Sequence, residues 1–127
     1  MIEYDEGEFP ITRVSIRGRL QDTEREPFLE KMDEWIDRGA KVTILDLSEN
    51  RGIDVRHLRR MSSWLNRRRD LLAVRRSTTM MVLTNGFLRA SADIVFKLAP
   101  NSGNYVTCPS VDIAYEKART IVEAGAN

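Results

Sequence analysis

The sequence predicts an α/β fold: one mixed, mostly parallel β-sheet of about four to five strands, covered by four helices. Three observations predict it. The stretches "VTILDL" (42–47) and "STTMMVLT" (77–84) are short, largely apolar and rich in strand-forming residues. They read as strands buried on both faces, as the strands of a parallel sheet must be. Longer segments around them carry apolar residues at helical spacing. Strands joined through helices pair in parallel with right-handed crossovers.

The elements follow in order. Ile2 to Asp5 is expected as a short strand, with Glu6-Gly7-Glu8 as the turn. "ITRVSIRG" then sets Ile11, Val14 and Ile16 among polar neighbours; 14 and 16 share a face at strand spacing. These two strands, joined directly, give one antiparallel pair. In "DTEREPFLEKMDEWIDRG", Phe28, Leu29, Met32, Trp35 and Ile36 recur at helical spacing. Pro27 is tolerable only in the first turn of that helix, and Gly39 is a good C-terminal stop. After the strand at 42–47, a helix is expected from Asp54, its N-cap, to about Val74. Val55, Leu58, Met61, Leu65 and Leu72 form its apolar stripe, with Arg56, Arg59, Arg60 and Arg67 opposite. The strand at 77–84 is closed by Asn85-Gly86. A third helix runs from Phe87 to Leu98 and stops at Pro100. "NYVT" is a short last strand. Ser110 is placed to cap the final helix, whose apolar residues are Val111, Ala114, Tyr115, Ala118, Ile121 and Val122.

With 127 residues the chain suits a single domain spanning 1–127, large enough to fold without disulfides or a metal. Cys108 is the only cysteine, so no intrachain bridge forms, in keeping with a reducing compartment. "MIEYDEGE" is acidic and has no apolar core, unlike a secretory signal. No apolar run approaches a bilayer's thickness. A soluble cytoplasmic protein is the expectation. The net charge is +1, unevenly placed. Residues 1–50 sum to −6, residues 51–76 hold nine arginines and sum to +7, and the remainder balances. Such asymmetry gives the surface two electrical faces.

No Gly-rich phosphate loop, Walker sequence or paired-cysteine motif is present, so no cofactor or metal is expected. The most suggestive stretch is "DLSENRGIDV" (46–55), an acidic strand end, a hydroxyl and a short loop. Ligands gather at such corners in open α/β sheets. Three segments carry a family resemblance: "RGRLQD" (17–22), "VTILDLSENRGID" (42–54), and "LTNGFLRASADIVFKLAPNSGNYVTCPSVDIAYEKA" (83–118). With the element order, they resemble the STAS domain of bacterial anti-sigma-factor antagonists and of the cytoplasmic tails of anion transporters. A STAS-like fold and a non-enzymatic signalling role in protein–protein interaction are what the resemblance implies. It also implies a protein partner such as a regulatory kinase or a component of a sigma-factor pathway. Phosphorylated members follow the loop Asp with Ser-Ser-Gly. Matching Asp54 to that Asp puts Val55 on the phosphoacceptor, Arg56 on the second Ser and His57 on the Gly. Val55 has no hydroxyl, so the usual phosphorylation switch is absent.

Ser48 is the nearest hydroxyl and reads either as a displaced phosphosite or, preferably, as a turn residue bonding local backbone. His57, the only histidine, pairs by spacing with Asp54 as a general base. It lacks a neighbouring nucleophile or a second ligand type, which favours a surface residue over an enzyme. The arginine-rich helix suits an anionic ligand, a lipid headgroup or nucleic acid, because clustered guanidinium groups displace counterions. The near-zero net charge and few aromatics argue against a nucleic-acid reader. The plainer reading is a solvated helix back whose arginines pair with the acidic first helix of this molecule or a neighbour. On a straight helix Arg68 and Arg69 fall within or beside the apolar stripe, where an unpaired guanidinium is costly. Stems that snorkel, a bend, or a stripe that faces something else would resolve this. Trp64 either completes the core or, with Arg68 and Leu71, anchors an interface. The expected partner surface is thus Ser48, Asn50, Asp54, Val55, Arg56, His57, Arg60, Trp64 and Arg67, facing a protein, with a homodimer among the options.

Overall fold

A computed structural model describes residues 2–18, 22–50, 59–60, 63–64, 66–98 and 104–125. The elements are β1 (Ile2–Glu8), β2 (Ile11–Ile16), α1 (Asp22–Asp37), β3 (Val42–Asp46), α2 (Arg69–Arg75), β4 (Thr78–Val82), α3 (Gly86–Leu98), β5 (Asn104–Cys108) and α4 (Val111–Gly125). The five strands form one mixed sheet in the order β1-β2-β3-β4-β5. β1 and β2 are antiparallel, and β2–β3, β3–β4 and β4–β5 are parallel.

That order places the helices. Each parallel crossover advances one strand in the same direction, so right-handed connections put the intervening helices on one face. Val14, Ile16, Leu45, Leu47, Met81 and Leu83 point to that face. They pack against Phe28, Met32, Trp35 and Ile36 of α1, together with Trp64, Leu72 and Ala92. α4 follows the last strand with no further strand to reach, and turns back beneath the other face. There Ile11, Val42, Ile44, Met80, Val82 and Cys108 meet Ala114 and Ala118. β3 and β4 are therefore covered on both sides, as their continuous apolar sequences require.

Local chemistry fixes the element ends. Gly39 adopts φ +93°, a left-handed conformation that glycine takes without Cβ strain. It lets the Gly39 and Ala40 N–H groups bond the Ile36 and Trp35 carbonyls. The Ser110 hydroxyl accepts the Ile113 N–H at 3.2 Å, capping α4 as its sequence predicts.

Three expectations need correction. The first hairpin does not turn at Glu6-Gly7-Glu8. β1 runs on to Glu8 through a register shift between Asp5 and Glu8, and the turn falls at Phe9-Pro10. Asp5 holds the irregular stretch by accepting the Gly7 N–H at 2.8 Å. α1 begins a turn earlier than Pro27 suggests, at Asp22, leaving the proline inside the helix. Pro27 and Thr23 are both exposed near the helix start, where a carbonyl that the proline cannot serve costs least. The arginine helix is not straight. Residues 59–60, 63–64 and 66–67 are helical, Arg68 leaves helical geometry at φ −108°, ψ 11°, and α2 begins at Arg69. The expected helix start at Asp54 lies outside the described residues.

Candidate functional site

The parallel strands β2 and β3 end side by side, and their C-terminal ends present a strapped corner. Asp46 closes β3. Its Oδ1 accepts both the backbone N–H and the hydroxyl of Ser48, at 3.1 and 2.6 Å. Its Oδ2 accepts the Ser15 hydroxyl at 3.3 Å from the neighbouring strand. An aspartate at a strand end can hold the next turn in this way without backbone pairing. The turn continues as the Asn50 N–H bonds the Leu47 carbonyl at 3.1 Å. Asn50 then forms a parallel bridge with Gly18, whose φ of +66° suits glycine. The Gly18 N–H bonds the Glu49 carbonyl at 3.1 Å, and Arg17 pairs with the Glu49 carboxylate at 2.8 Å. Residues 46–50 are thus lashed to the end of β2. The Ser48 hydroxyl donates to the Asp46 carboxylate rather than to local backbone, and Ser48 is half-buried.

The second part of the site is the helical stretch ahead of α2. Arg59, Arg60 and Arg67 are exposed, as is Arg76 just past the helix. None of these four forms an ion pair among the described residues. Arg68 behaves differently. Its guanidinium reaches across to α1, with Nε on Asp33 Oδ1 and a terminal nitrogen on Oδ2 at 2.9 Å. The guanidinium also lies 4.7 Å from the centre of the Trp64 ring. A two-point carboxylate pair and a cation–π contact use the planar guanidinium in both its modes. The break at Arg68 thereby answers the sequence puzzle: the chain bends, and the misplaced cation is paired rather than buried alone.

Of the expected partner-binding residues, Ser48 and Asn50 sit in the strapped corner, and Arg60 and Arg67 are on the surface. Asp54, Val55, Arg56 and His57 lie outside the described residues. Trp64 is turned inward and is only 2% exposed. It packs with the α1 core rather than offering its ring to a partner, because that face of the helix fits against Met32 and Trp35.

Sequence reasoning missed the polar hub around Glu6. Its carboxylate accepts the Trp35 indole N–H at 2.6 Å and pairs with Lys31 at 3.0 Å and Arg38 at 3.1 Å. The indole hydrogen bond first, then those from Lys31 and Arg38, lower the Glu6 carboxyl to about 2. The only signal was a run of acids on an edge strand, which is also how edges resist pairing with other chains. On the opposite face Arg119 pairs with Glu8, and Arg13 lies over the Tyr115 ring, tying α4 to the hairpin. Among the described residues no group of three His, Cys, Asp or Glu side chains is placed to hold a metal ion. Among them, too, no helix is long and apolar enough to cross a membrane. No protein-family model matches the chain, and no curated protein matches its sequence.

Proposed function

We propose that the chain is a non-enzymatic, STAS-like regulatory module that binds a protein partner through the loop 48–57 and the exposed part of the arginine helix. The observation that carries this reading is the strapped corner. Asp46 gathers donors from Ser48 and Ser15, and Gly18 bridges Asn50, so residues 46–50 are held in place on the end of β2. A preorganised corner of this kind lowers the ordering cost of binding. The element order, and the division of helices three to one across the sheet, support the STAS resemblance. Binding does not depend on phosphate, because Val55 stands where phosphorylated members carry serine. The Asp46 carboxylate holds the turn through three accepted hydrogen bonds, a structural task rather than a catalytic one.

The test is affinity purification from the native cell, followed by identification of what is bound. A defined protein should be retained in moderate salt and lost when Asp46→Ala frees the loop. A second reading, an anionic lipid or nucleic-acid binder, draws on the unpaired Arg59, Arg60 and Arg67. It requires affinity that falls steeply with salt and vanishes on charge reversal at Arg60 and Arg67. Retention of a protein that ignores the loop but follows those arginines would overturn the first reading.

A further inference from the structure

Ten of the thirteen acids of the N-terminal half fall into two groups. Glu3, Asp5, Glu6, Glu8, Asp33, Glu34 and Glu49 pair with cations of their own chain. Glu26, Glu30 and Asp37 do not: all three are exposed and none forms an ion pair among the described residues. They are not scattered. At 100° per residue they fall within about 40° of one another, along the face of α1 opposite Phe28, Met32 and Trp35. α1 therefore carries an acidic stripe facing away from the sheet, in which Glu26, Glu30 and Asp37 have no ion-pair partner among the described residues while Asp33, on the same face, is held by Arg68.

The neighbouring helical stretch carries the complement. Arg59, Arg60 and Arg67 are exposed and unpaired, and Leu71 and Val74 follow on α2 at 36% and 80% exposure. An isoleucine- or valine-sized side chain left four-fifths open one turn from Leu71 is apolar area at the end of a charged row. Two crossovers of the same hand make α1 and this stretch run in the same direction on one face of the sheet. Their levels are set by the strands that follow them. Val42 pairs with Thr78, and Asp33 with Arg68, which places each α1 residue beside one 35 or 36 positions on. Glu30 is then level with the position or two just ahead of Arg67, and Glu26 lies within about one helical turn of Arg59 and Arg60.

We infer that this face is a self-complementary surface that docks a second copy of the chain through a two-fold axis running parallel to the two helices. Rotation about an axis above the groove between them exchanges their positions without changing their levels. The α1 stripe of one copy then faces the arginines of the other, and the reverse pairing forms at the same time. Each Glu30–Arg67 contact is made twice, and the assembly closes as a dimer. Within one chain these side chains stand on the outer surfaces of adjacent helices, and among the described residues only Arg68 bridges the gap, to Asp33. Both signs being on the same face of the same chain favours a second copy over an acidic protein or an anionic membrane, either of which the α1 stripe would repel. The inference rests on the basic-helix half of the interaction surface proposed above and not on the loop.

Sedimentation equilibrium tests it. The full chain should be dimeric at low salt and dissociate at ~0.5 M salt, where exposed charges are screened. Arg67→Glu and Glu30→Arg should each weaken dimerisation by roughly tenfold or more, since each places like charges together twice. Mixed together, the two variants should restore a dimer, because each supplies what the other lacks. Circular dichroism confirms that both are folded before mixing. A wild-type chain that stays monomeric at ~100 µM in low salt overturns the inference, being far above the affinities of specific interfaces; so does a mixture of folded variants that fails to associate. Binding to anionic vesicles in place of self-association also overturns it. A monomer that still retains a loop-dependent partner defeats the dimer alone. A dimer that retains none defeats the loop reading alone.

Discussion

The two faces of the sheet are closed by different means. The face under α1, α2 and α3 is filled by bulk: Trp35, Phe28, Met32, Ile36 and Trp64 are each at most 2% exposed. The face under α4 is filled by approach. Ala114 and Ala118 are fully buried, and small side chains bring the helix backbone down onto Ile44, Met80 and Val82. Bulk tolerates irregular helices, and the bent arginine helix is on that side. Approach requires a straight helix with small residues in register, and α4 keeps them one turn apart over 15 residues. The described arginines follow the same division: Arg59, Arg60 and Arg67 belong to the irregular side, while the close-packed face anchors the sheet from below.

The bulky face is most sensitive at Trp35. Truncation to alanine should destabilise the chain by ~3–5 kcal/mol in denaturant unfolding. The ring is fully buried, stands edge-on to Tyr4 at 5.8 Å and donates its indole N–H to Glu6. On the other face the sensitive change is enlargement. Ala118→Leu should cost about 1–3 kcal/mol, because the helix cannot move away without uncovering Met80 and Cys108. The same residue placed one position earlier, Lys117→Leu, is exposed and should fall within about 0.5 kcal/mol of wild type. Equal costs at 117 and 118 would mean that the small residues do not set the packing distance.

Most of the sheet was legible because burial on two faces leaves a local mark. "VTILDL" and "STTMMVLT" announce central strands, and Ser110, whose hydroxyl accepts the N–H three residues on, announces a helix start. The missed features are those in which distant groups overrule local pattern. Glu6-Gly7-Glu8 reads as a turn on composition, but Asp5 binding the Gly7 N–H converts it into an irregular strand. Arg68 reads as misplaced on a straight helix, and only the position of Asp33, 35 residues away, makes the bend pay. The strapped corner was half visible. The Asp46–Ser48 turn is local chemistry, whereas Ser15 and Gly18 join it only because β2 lies beside β3. Trp64 was ambiguous because a flank position on a helical wheel does not say which neighbour it meets.

The smallest expected effect probes how the hairpin is fastened to the bulky face. Glu6 on β1 binds Trp35, Lys31 and Arg38, all on or just beyond α1. Its carboxyl is held at about 2, against an ordinary value of 4.5, by the Trp35 hydrogen bond first and the two cations after it. A carboxyl whose folded value lies below its unfolded value stabilises the fold when ionised in both states. The contribution is therefore fully present above about pH 4.5, declines as pH falls, and is lost once the folded form is also protonated near pH 2. Glu6→Gln keeps an oxygen to accept the indole N–H and removes the charge. Unfolding curves of wild type and variant should differ by a constant amount at neutral pH, draw together between about 4.5 and 2, and coincide below that. The difference should be smaller than either packing change and should shrink with added salt, because the pairs are open to solvent. A gap that persists unchanged to pH 2 would mean that Glu6 acts through shape and its hydrogen-bond acceptor alone, and that the hairpin is held to α1 by Tyr4 and Trp35 without electrostatic help.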